Sequence, residues 1–381
     1  APSQQLYAQF MFQCAKLAQD YGFKEYTIAE FSPTLYMCSG SYRHFRDWWY
    51  DRHEFKSGFL FQASHFADVA GCWGISFTVW NSPGKTSNKE TVNLTLKDQE
   101  NFAIKDIGLK AVYNSDGSEA SKWVREPLGK MMGVDAPQMT SGLRIKATPK
   151  YQIQLASGSL GYMINLANCV YKSITDVFFT SSCSSLPHGL PFSVANFNRA
   201  IALYSARKLV LETWDNQKDE YLVPDEAHSD YTQWVNDCHI YALLHTSNNC
   251  TSMRNVPYKG TPWTIHNHFF WKTHKDSLAA LDTPATLALY KDCKNHPAKD
   301  VFGNAVTSTP DPYMAYVLKN PTFSLSPDAQ HVLDLLDALW LKSLPLRESY
   351  SAGKPELHLG SWDAGVYQLK HLWRDLFPEE W

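Results

Sequence analysis

One stretch of this chain limits its fold more than any other, because two apolar runs there flank a loop that contains Gly and aromatic residues. The runs at 59–61 and 75–80 have the length and the aromatic or β-branched content of buried strands, so they predict a β-hairpin. Three ring-bearing side chains stand in or beside the loop: His65, Phe66 and Trp73. Rings beside glycines suit a flat partner such as a nucleobase. Packing of the same rings in a core is the alternative interpretation.

Composition places the chain among folded proteins and restricts its partners. Of its 381 residues, 44% are hydrophobic and 19% are charged, which is typical of a globular protein of more than one domain. The net charge of −3 excludes a chain that is basic throughout, so nucleic-acid contact would need a local patch. Eight cysteines without a C-x-x-C pair favour free thiols in the cytoplasm. No apolar run approaches the roughly 18 residues of a membrane span, and no membrane partner is expected.

The first 50 residues predict a helix, a strand and a second helix. The first helix begins near Leu6 and ends before Gly22. Its spacing predicts a core-facing stripe formed by Leu6, Phe10, Cys14 and Leu17. A short buried strand is expected at 26–31, followed by a helix at 41–50.

The second helix is expected to turn Phe45 and Trp49 inward and Arg43 and Arg46 toward solvent. With the hairpin, the order becomes helix, strand, helix, strand, strand. This order is typical of the closing half of a doubly wound α/β sheet. The turn at 81–84 then predicts a domain boundary.

Beyond the turn the sequence changes character twice. Residues 83–195 are polar with short strand-like pieces, which predicts an α+β region. From residue 196 the chain becomes helical. Helices are expected at 197–214, 231–245, 327–342 and 365–376. We therefore predict three domains, at 1–82, 83–195 and 196–381.

Familiar catalytic motifs are not present in a convincing form. His266 and His268 would share one face of a strand, but a structural pair is favoured over a metal site. The serine-glycine segment at 157–161 lacks the first glycine of a nucleophile elbow, and no P-loop or G-x-G-x-x-G occurs. The segment at 320–323 resembles a degraded Asn-Pro-Pro-Phe motif but is interpreted as a turn. No catalytic or metal-binding residue is predicted.

Short segments spread over most of the chain resemble the second half of a large N6-adenine DNA methyltransferase of the restriction–modification and phage-defence type. In the first hundred residues they are LYAQF at 6–10, FSPTL at 31–35, FR at 45–46, residues 58–66 and WGISF at 73–77. Later segments are ASKWVREP at 120–127, PQMTSGL at 137–143, NFNR at 196–199, ARK at 206–208 and LVP at 222–224. The last are SMRN at 252–255, NHFF at 267–270 and SWDAG at 361–365.

The resemblance implies that such an enzyme binds its cofactor and performs catalysis with segments other than these. Its glycine-rich loop for S-adenosylmethionine and its Asn-Pro-Pro-aromatic loop belong upstream, and neither motif occurs in these residues. The expectation is a C-terminal part that needs a missing N-terminal segment for methyl transfer and is inactive alone. Phe66 best matches the family's stacking contact with the extruded base, with His65 and Trp73 as neighbours.

Double-stranded DNA is the partner that this resemblance implies. Candidate DNA-contact residues are Lys122, Arg125, Arg144, Lys146, Arg199, Arg207, Lys208, Arg254, Asn255 and Lys259. Arg207 and Lys208 have a solvated helix face as their alternative. Arg254 and Asn255, expected in a polar loop at 246–258, could read guanine and adenine or could simply form a turn. A stand-alone DNA-binding specificity module is the alternative function, and a protein–protein scaffold is a third.

Overall fold

The computed structural model describes part of the chain. The described residues are 4–66, 68–69, 71–100, 103–125, 161–164, 167–180, 190–192, 195–245, 253–258, 261–265, 298–299, 305–306 and 324–343. The chain divides into two units. The first comprises Ala1–Trp123, Ala167–Thr175 and Arg207–Pro224. The second comprises Val124–Leu166, Asp176–Ala206 and Asp225–Trp381.

Helices and strands alternate at the start of the chain. The helices are α1 (Leu6–Asp20), α2 (Leu35–Cys38), α3 (Arg43–Tyr50), α4 (Ala120–Arg125), α5 (Ser173–Asp176), α6 (Phe197–Leu209), α7 (Tyr231–Leu244) and α8 (Pro327–Ser343). Short 3₁₀ turns occupy Gly40–Tyr42 and Ala63–His65. The longer strands are β1 (Tyr26–Ser32), β2 (Glu54–Gln62), β3 (Gly74–Ser82), β4 (Thr91–Glu100) and β5 (Ala103–Tyr113). The shorter strands are β6 (Gly161–Ile164), β7 (Phe178–Thr180), β8 (Leu190–Phe192), β9 (Met253–Tyr258), β10 (Thr261–Ile265), β11 (Ala298–Lys299) and β12 (Ala305–Val306).

The predicted hairpin is confirmed as β2 and β3, and both strands are longer than expected. Their antiparallel register places Phe59 opposite Phe77 and Phe61 opposite Ile75. β3 also pairs antiparallel with β1, so it lies between β1 and β2. Because both neighbours oppose β3, β1 and β2 run in the same direction and are joined through α2 and α3. This is the strand–helix–strand connection that a parallel pair requires.

The predicted α/β class is confirmed in its coarse form only. The five-stranded sheet has the order β1-β3-β2-β4-β5. Of its four neighbouring pairs, only β2 and β4 are parallel. A doubly wound sheet is mostly parallel, so the observed sheet is better described as mixed. No described strand pairs with the outer edge of β1.

The sheet continues past residue 82, where a domain boundary was expected. β4 pairs with β2, and β5 pairs with β4 over its full length. Sequence analysis missed both strands because their side chains are largely polar or exposed, as in most of β5. The division between the two units also does not fall at residue 195.

α1 was predicted correctly, but its core-facing stripe was wrong. The buried residues are Ala8, Met11, Ala15 and Ala18. The larger residues of the predicted stripe, Leu6, Phe10, Cys14 and Leu17, are exposed instead. Three of the four buried residues are alanines, whose short side chains let a helix lie close to its neighbours. Ala8, Met11 and Ala15 join Trp49 and Trp80 in the hydrophobic core.

Gly22 ends α1 as predicted, and the geometry explains the need for glycine. Its φ of +70° is in the left-handed region, which costs other residues free energy. The Gly22 amide donates to the Gln19 carbonyl at 3.0 Å, and the Phe23 amide donates to the Ala18 carbonyl at 2.9 Å. This pair of bonds is a Schellman cap. It fixes the direction in which the chain leaves the helix.

Arg46 is buried, contrary to the prediction that it faces solvent. The residue is 0% exposed, and its side chain forms an ion pair with Asp116 at 2.6 Å. It also donates hydrogen bonds to the carbonyls of Tyr36, at 2.9 Å, and Ser39, at 3.0 Å. Arg46 therefore links α3 to the α2 segment and to the loop after β5. Arg43 and Trp49 behave as predicted, exposed and buried respectively, while Phe45 is half-buried.

The second unit contains a small antiparallel sheet of order β7-β6-β8 and several helices. The predicted α6 ends at Leu209 rather than at 214, whereas α7 and α8 match within a residue. Asn236 of α7 donates to the Ser324 carbonyl ahead of α8 at 2.7 Å. The helix predicted at 365–376 lies outside the described residues. In the described part of the chain, no helix is long and apolar enough to cross a membrane.

Candidate functional site

A cavity of about 430 Å³ opens where β1 and β2 end and β3 begins. We call it the apolar pocket. Its walls include Phe31, Pro33, Phe66, Val69, Trp73 and Ile75. β1 and β2 point their carboxyl ends toward it, because they run in the same direction. Ligand sites in α/β proteins commonly lie at such carboxyl ends.

The strand register brings the rings of the pocket together. Phe31 on β1 is directly opposite Phe77 on β3, and their ring centroids are 4.7 Å apart. Phe66 follows β2 and contacts Phe31 at 5.6 Å and Phe61 at 4.9 Å, both edge to face. These contacts hold the Phe66 ring in place on one side. The side chain is nevertheless 69% exposed.

Trp73 stands on the other side of the loop, immediately before β3. It is 44% exposed. The Ala63 amide donates to the Trp73 carbonyl at 2.7 Å, which closes the base of the loop. Gly74 has no room for a side chain, because a Cβ there would collide with the Trp214 carbonyl. Neither Phe66 nor Trp73 belongs to the hydrophobic core, so core packing does not explain these two rings.

The third predicted stacking residue, His65, does not line the pocket. Its Nε2 lies 3.1 Å from Asp98 Oδ1 on β4. The structure thus brings two of the three predicted rings together and adds Phe31, which sequence analysis did not assign to the site. In the sequence, the only local sign of Phe31 was its position before Ser32 and Pro33, at the end of a predicted strand.

The chemistry of the pocket is that of an apolar slot. None of its described wall residues has a charged or hydrogen-bonding group apart from the Trp73 indole. Such walls suit the two faces of a flat ring, which need dispersion contacts more than hydrogen bonds. S-adenosylmethionine does not fit this pocket, since its carboxylate, ammonium and ribose hydroxyls would find no polar side-chain partners.

The described DNA-contact candidates differ in their availability. Lys122 and Arg125 of α4 are exposed, although Lys122 also pairs with Glu119 at 2.6 Å. Arg199 is held by Glu226 in a two-point contact, with both nitrogen–oxygen distances at 3.0 Å. A phosphate would have to displace that carboxylate. Lys122 and Arg125 are therefore the more accessible candidates.

Arg207 and Lys208 are buried, which corrects the interpretation of a solvated helix face. Arg207 is 0% exposed, and its Nε donates to Ser173 Oγ at 3.2 Å. Its guanidinium also lies over the Tyr221 ring. Lys208 Nζ donates to the Ile174 carbonyl. Both side chains are committed to internal contacts and are not placed to reach a phosphate.

The remaining predicted contacts are only partly described. Arg254 and Asn255 lie in β9, not in the polar loop that was expected, and β9 pairs with β10. Their side chains, like Arg144, Lys146, Lys259 and the pair His266 and His268, lie outside what the structure describes. The described cysteines are all free thiols. No group of three metal-binding side chains occurs in the described ranges.

Comparison of the chain with protein-family models, curated proteins and solved structures gave no match. The resemblance to adenine methyltransferases therefore rests on the short segments themselves. The fold class and the apolar pocket stand independently of it.

Proposed function

We propose that this chain provides the base-stacking pocket and part of the DNA surface of a site-specific DNA adenine-N6 methyltransferase. In this proposal the methyl donor is bound by another segment or polypeptide, and the chain alone does not transfer methyl groups. The observation that carries the proposal is the apolar pocket at the carboxyl ends of β1 and β2, whose walls include Phe66 and Trp73.

Chemistry on the amino group of adenine explains why such a pocket is useful. Within a duplex the base is stacked on its neighbours, so the enzyme must extrude it and hold it between new partners. Phe66 and Trp73 present exposed rings in the wall of a cavity of about 430 Å³, a volume within the usual range of small-ligand pockets. They would replace the stacking that the base loses. Methyl transfer itself is left to groups outside this pocket.

The order of elements supports the same proposal. The resemblance implies a helix, a strand, a further helix and two closing strands after the catalytic loop. α1, β1, α3, β2 and β3 follow that order. The parallel direction of β1 and β2 is also what a strand–helix–strand unit of an α/β enzyme requires.

Binding of an unpaired adenine tests the proposal. The full chain would be titrated into a labelled duplex with one extrahelical adenine and into the matched duplex, with fluorescence anisotropy as the measurement. We expect tighter binding of the extrahelical adenine. Phe66→Ala should remove most of this preference, since stacking of one base contributes about 1–3 kcal/mol. Trp73→Ala should act in the same direction.

Leu109→Ala is the matched control, because Leu109 is an exposed large apolar residue on β5, away from the pocket. Its affinity for both duplexes should equal that of the unmodified chain. Equal binding of both duplexes, with no effect of Phe66→Ala, would refute the base pocket.

The poor fit of the methyl donor favours one alternative, a stand-alone specificity module that binds DNA but belongs to no methyltransferase. The two proposals differ in their preference for an extruded base. A module of this kind would bind matched duplex DNA with a steep salt dependence and would be indifferent to Phe66→Ala.

A further inference from the structure

A second cavity, of about 940 Å³, lies at the opposite end of β1. α1 and α3 both end beside it, and the turn after β3 closes one side. We call it the amino-end groove, and its principal side chains are Phe12, Phe23, Tyr26, Trp48, Lys24, Arg52 and Lys85. β1 has seven residues, so the groove and the apolar pocket are separated by about 20 Å along the strand. We infer that the amino-end groove binds single-stranded nucleic acid.

Aromatic side chains form the first half of this argument. Phe23 is 62% exposed, and Phe12 is also exposed beside Trp48, with ring centroids 5.2 Å apart. Tyr26 is anchored by a 3.2 Å contact between its hydroxyl and His53 Nε2. Phe12 and Phe23 thus present exposed rings in one groove, beside the half-buried rings of Tyr26 and Trp48. Successive unpaired bases stack on such platforms with little regard to sequence.

Cations form the second half. Lys24 and Lys85 have no ion pair or side-chain hydrogen bond with any described residue, and both line the groove. Arg52 lies over the Trp48 ring, 5.3 Å from its centroid, where it can also stack on a base. Lys16 is less available, because it pairs with Asp20 at 2.8 Å.

Asp51 is the carboxylate that lines the groove, and it is already neutralised. Lys89 Nζ lies 2.6 Å from Asp51 Oδ1. Hydrogen bonding to Lys89, followed by the charges of Lys85 and Arg52, lowers the pKa of Asp51. α1 and α3 direct their carbonyl ends toward this region, which accounts for some of the positive charge. Lys24 and Lys85 carry the positive charge of the groove that neither Asp51 nor the helix ends balance.

Rings and cations together select the ligand. An acidic peptide would satisfy the cations but would leave the ring faces without flat partners. A duplex offers phosphates, but its bases are stacked internally. A single strand offers both phosphates and free base faces. The inference does not rest on the base pocket, because the two cavities share no wall residue.

A labelled twelve-residue thymidine strand tests the inference, since it forms no duplex and contains no adenine. The full chain would be titrated at several salt concentrations, with anisotropy as the readout. Phe23→Ala should weaken binding roughly 5- to 150-fold, as expected for one lost stacking contact. Phe23→Trp should retain affinity, because it keeps an aromatic ring at this position. Retention would show that Phe23→Ala weakens binding by loss of the ring and not by misfolding of the helix cap.

The contribution of the lysines is measured separately, through the salt dependence of binding. The double variant Lys24→Gln and Lys85→Gln should reduce the slope of log affinity against log salt by about 1.4, because each phosphate contact on a single strand contributes about 0.7. Lys105→Gln and Leu109→Ala are the controls, as both residues are exposed on β5. Circular dichroism melts would verify that every variant folds.

Three results would overturn the inference. One is a Phe23→Ala affinity no different from that of the controls. Another is a salt slope unchanged by the double variant. The third is competition by polyglutamate as effective as competition by unlabelled thymidine strand, which would make the groove a general polyanion or acidic-peptide site.

Discussion

The two ends of β1 carry contrasting cavities on the same strand. At the carboxyl end the apolar pocket is lined by side chains without charge, whereas the amino-end groove combines rings with lysine and arginine. The difference follows from the topology. At the carboxyl ends of β1 and β2 the chain passes into the loops that line the apolar pocket, while at the amino end of β1 two helices end, and helix carboxyl ends attract cations. One sheet thus carries an uncharged apolar cavity at one end of β1 and a groove with rings and cations at the other.

The largest expected effect comes from the frame that both cavities share. Arg46→Met should destabilise the fold by about 3–5 kcal/mol, because it leaves Asp116 and two carbonyls without their buried partner. The extrahelical-adenine and thymidine-strand affinities should fall together. Thermal melting and both titrations measure this. Arg43→Met, at an exposed position on the same helix, is the control and should change little.

If the destabilised Arg46→Met chain kept either the extrahelical-adenine or the thymidine-strand affinity, the two cavities would not depend on the same layer of helices. The contrast between them would then reflect separate subregions rather than two ends of one frame.

A smaller effect should separate the cavities. Gly74→Ala forces a Cβ into the Trp214 carbonyl, and overpacking of this kind costs about 1–3 kcal/mol. Because Trp73 precedes it, the extrahelical-adenine affinity should fall more than the thymidine-strand affinity. Gly108→Ala on β5 is a suitable control, since its Cβ would meet Leu96 at an ordinary 3.8 Å. Equal loss of both affinities would contradict the separation.

The reciprocal variant acts on the groove. Gly22→Ala meets no atom within 4 Å, so its cost of about 1 kcal/mol is the strain of a left-handed φ alone. Phe23 and Lys24 follow directly, so the thymidine-strand affinity should decrease while the extrahelical-adenine affinity is retained. Gly22→Asn should lose less, because asparagine tolerates this conformation better. If Gly22→Ala lowered only the extrahelical-adenine affinity, the assignment of the two ligands to the two cavities would be reversed.

The smallest effect concerns the strand between the two cavities. Burial raises the pKa of Glu30, in the middle of β1, from 4.5 to about 7. The folded chain therefore holds this proton more tightly than the unfolded chain does. Its contribution is fully present below about pH 4.5 and is lost as the pH rises through about 7. Glu30→Gln should match the unmodified chain at pH 4.5 and exceed its stability at pH 8.

Urea unfolding midpoints of both chains at the two pH values measure this difference. Because Glu30 lines neither cavity, both affinities should be unchanged in the variant. A stability difference that is independent of pH would show that the carboxyl group of Glu30 is not the cause.

Part of the site could be predicted because its signal is local. The apolar runs that form β2 and β3, and the rings of the intervening loop, are adjacent in sequence. Phe31 could not be assigned, because its place opposite Phe77 depends on pairing between strands that are more than 40 residues apart. The amino-end groove was missed for the same reason, since α1, α3 and the turn after β3 each supply part of it.

The errors on α1 and α3 have a different origin. Helical periodicity favours the largest apolar side chains for the core, yet α1 buries alanines and leaves Leu6 and Phe10 exposed. Arg46 was placed outside because charged residues are rarely buried without a partner. Its partner Asp116 is 70 residues away, beyond two strands that sequence analysis did not detect.

The sheet has two unequal rims. β5 carries Lys105 and Lys110, and its pairing with β4 is irregular between Leu96 and Lys97. Lysines and irregular register discourage the addition of foreign strands. β1 pairs with β3 over seven residues without interruption, contains no lysine or proline, and has no described neighbour outside. Among the described strands, the two features that discourage strand addition are therefore concentrated on the β5 rim, and the β1 rim lacks both.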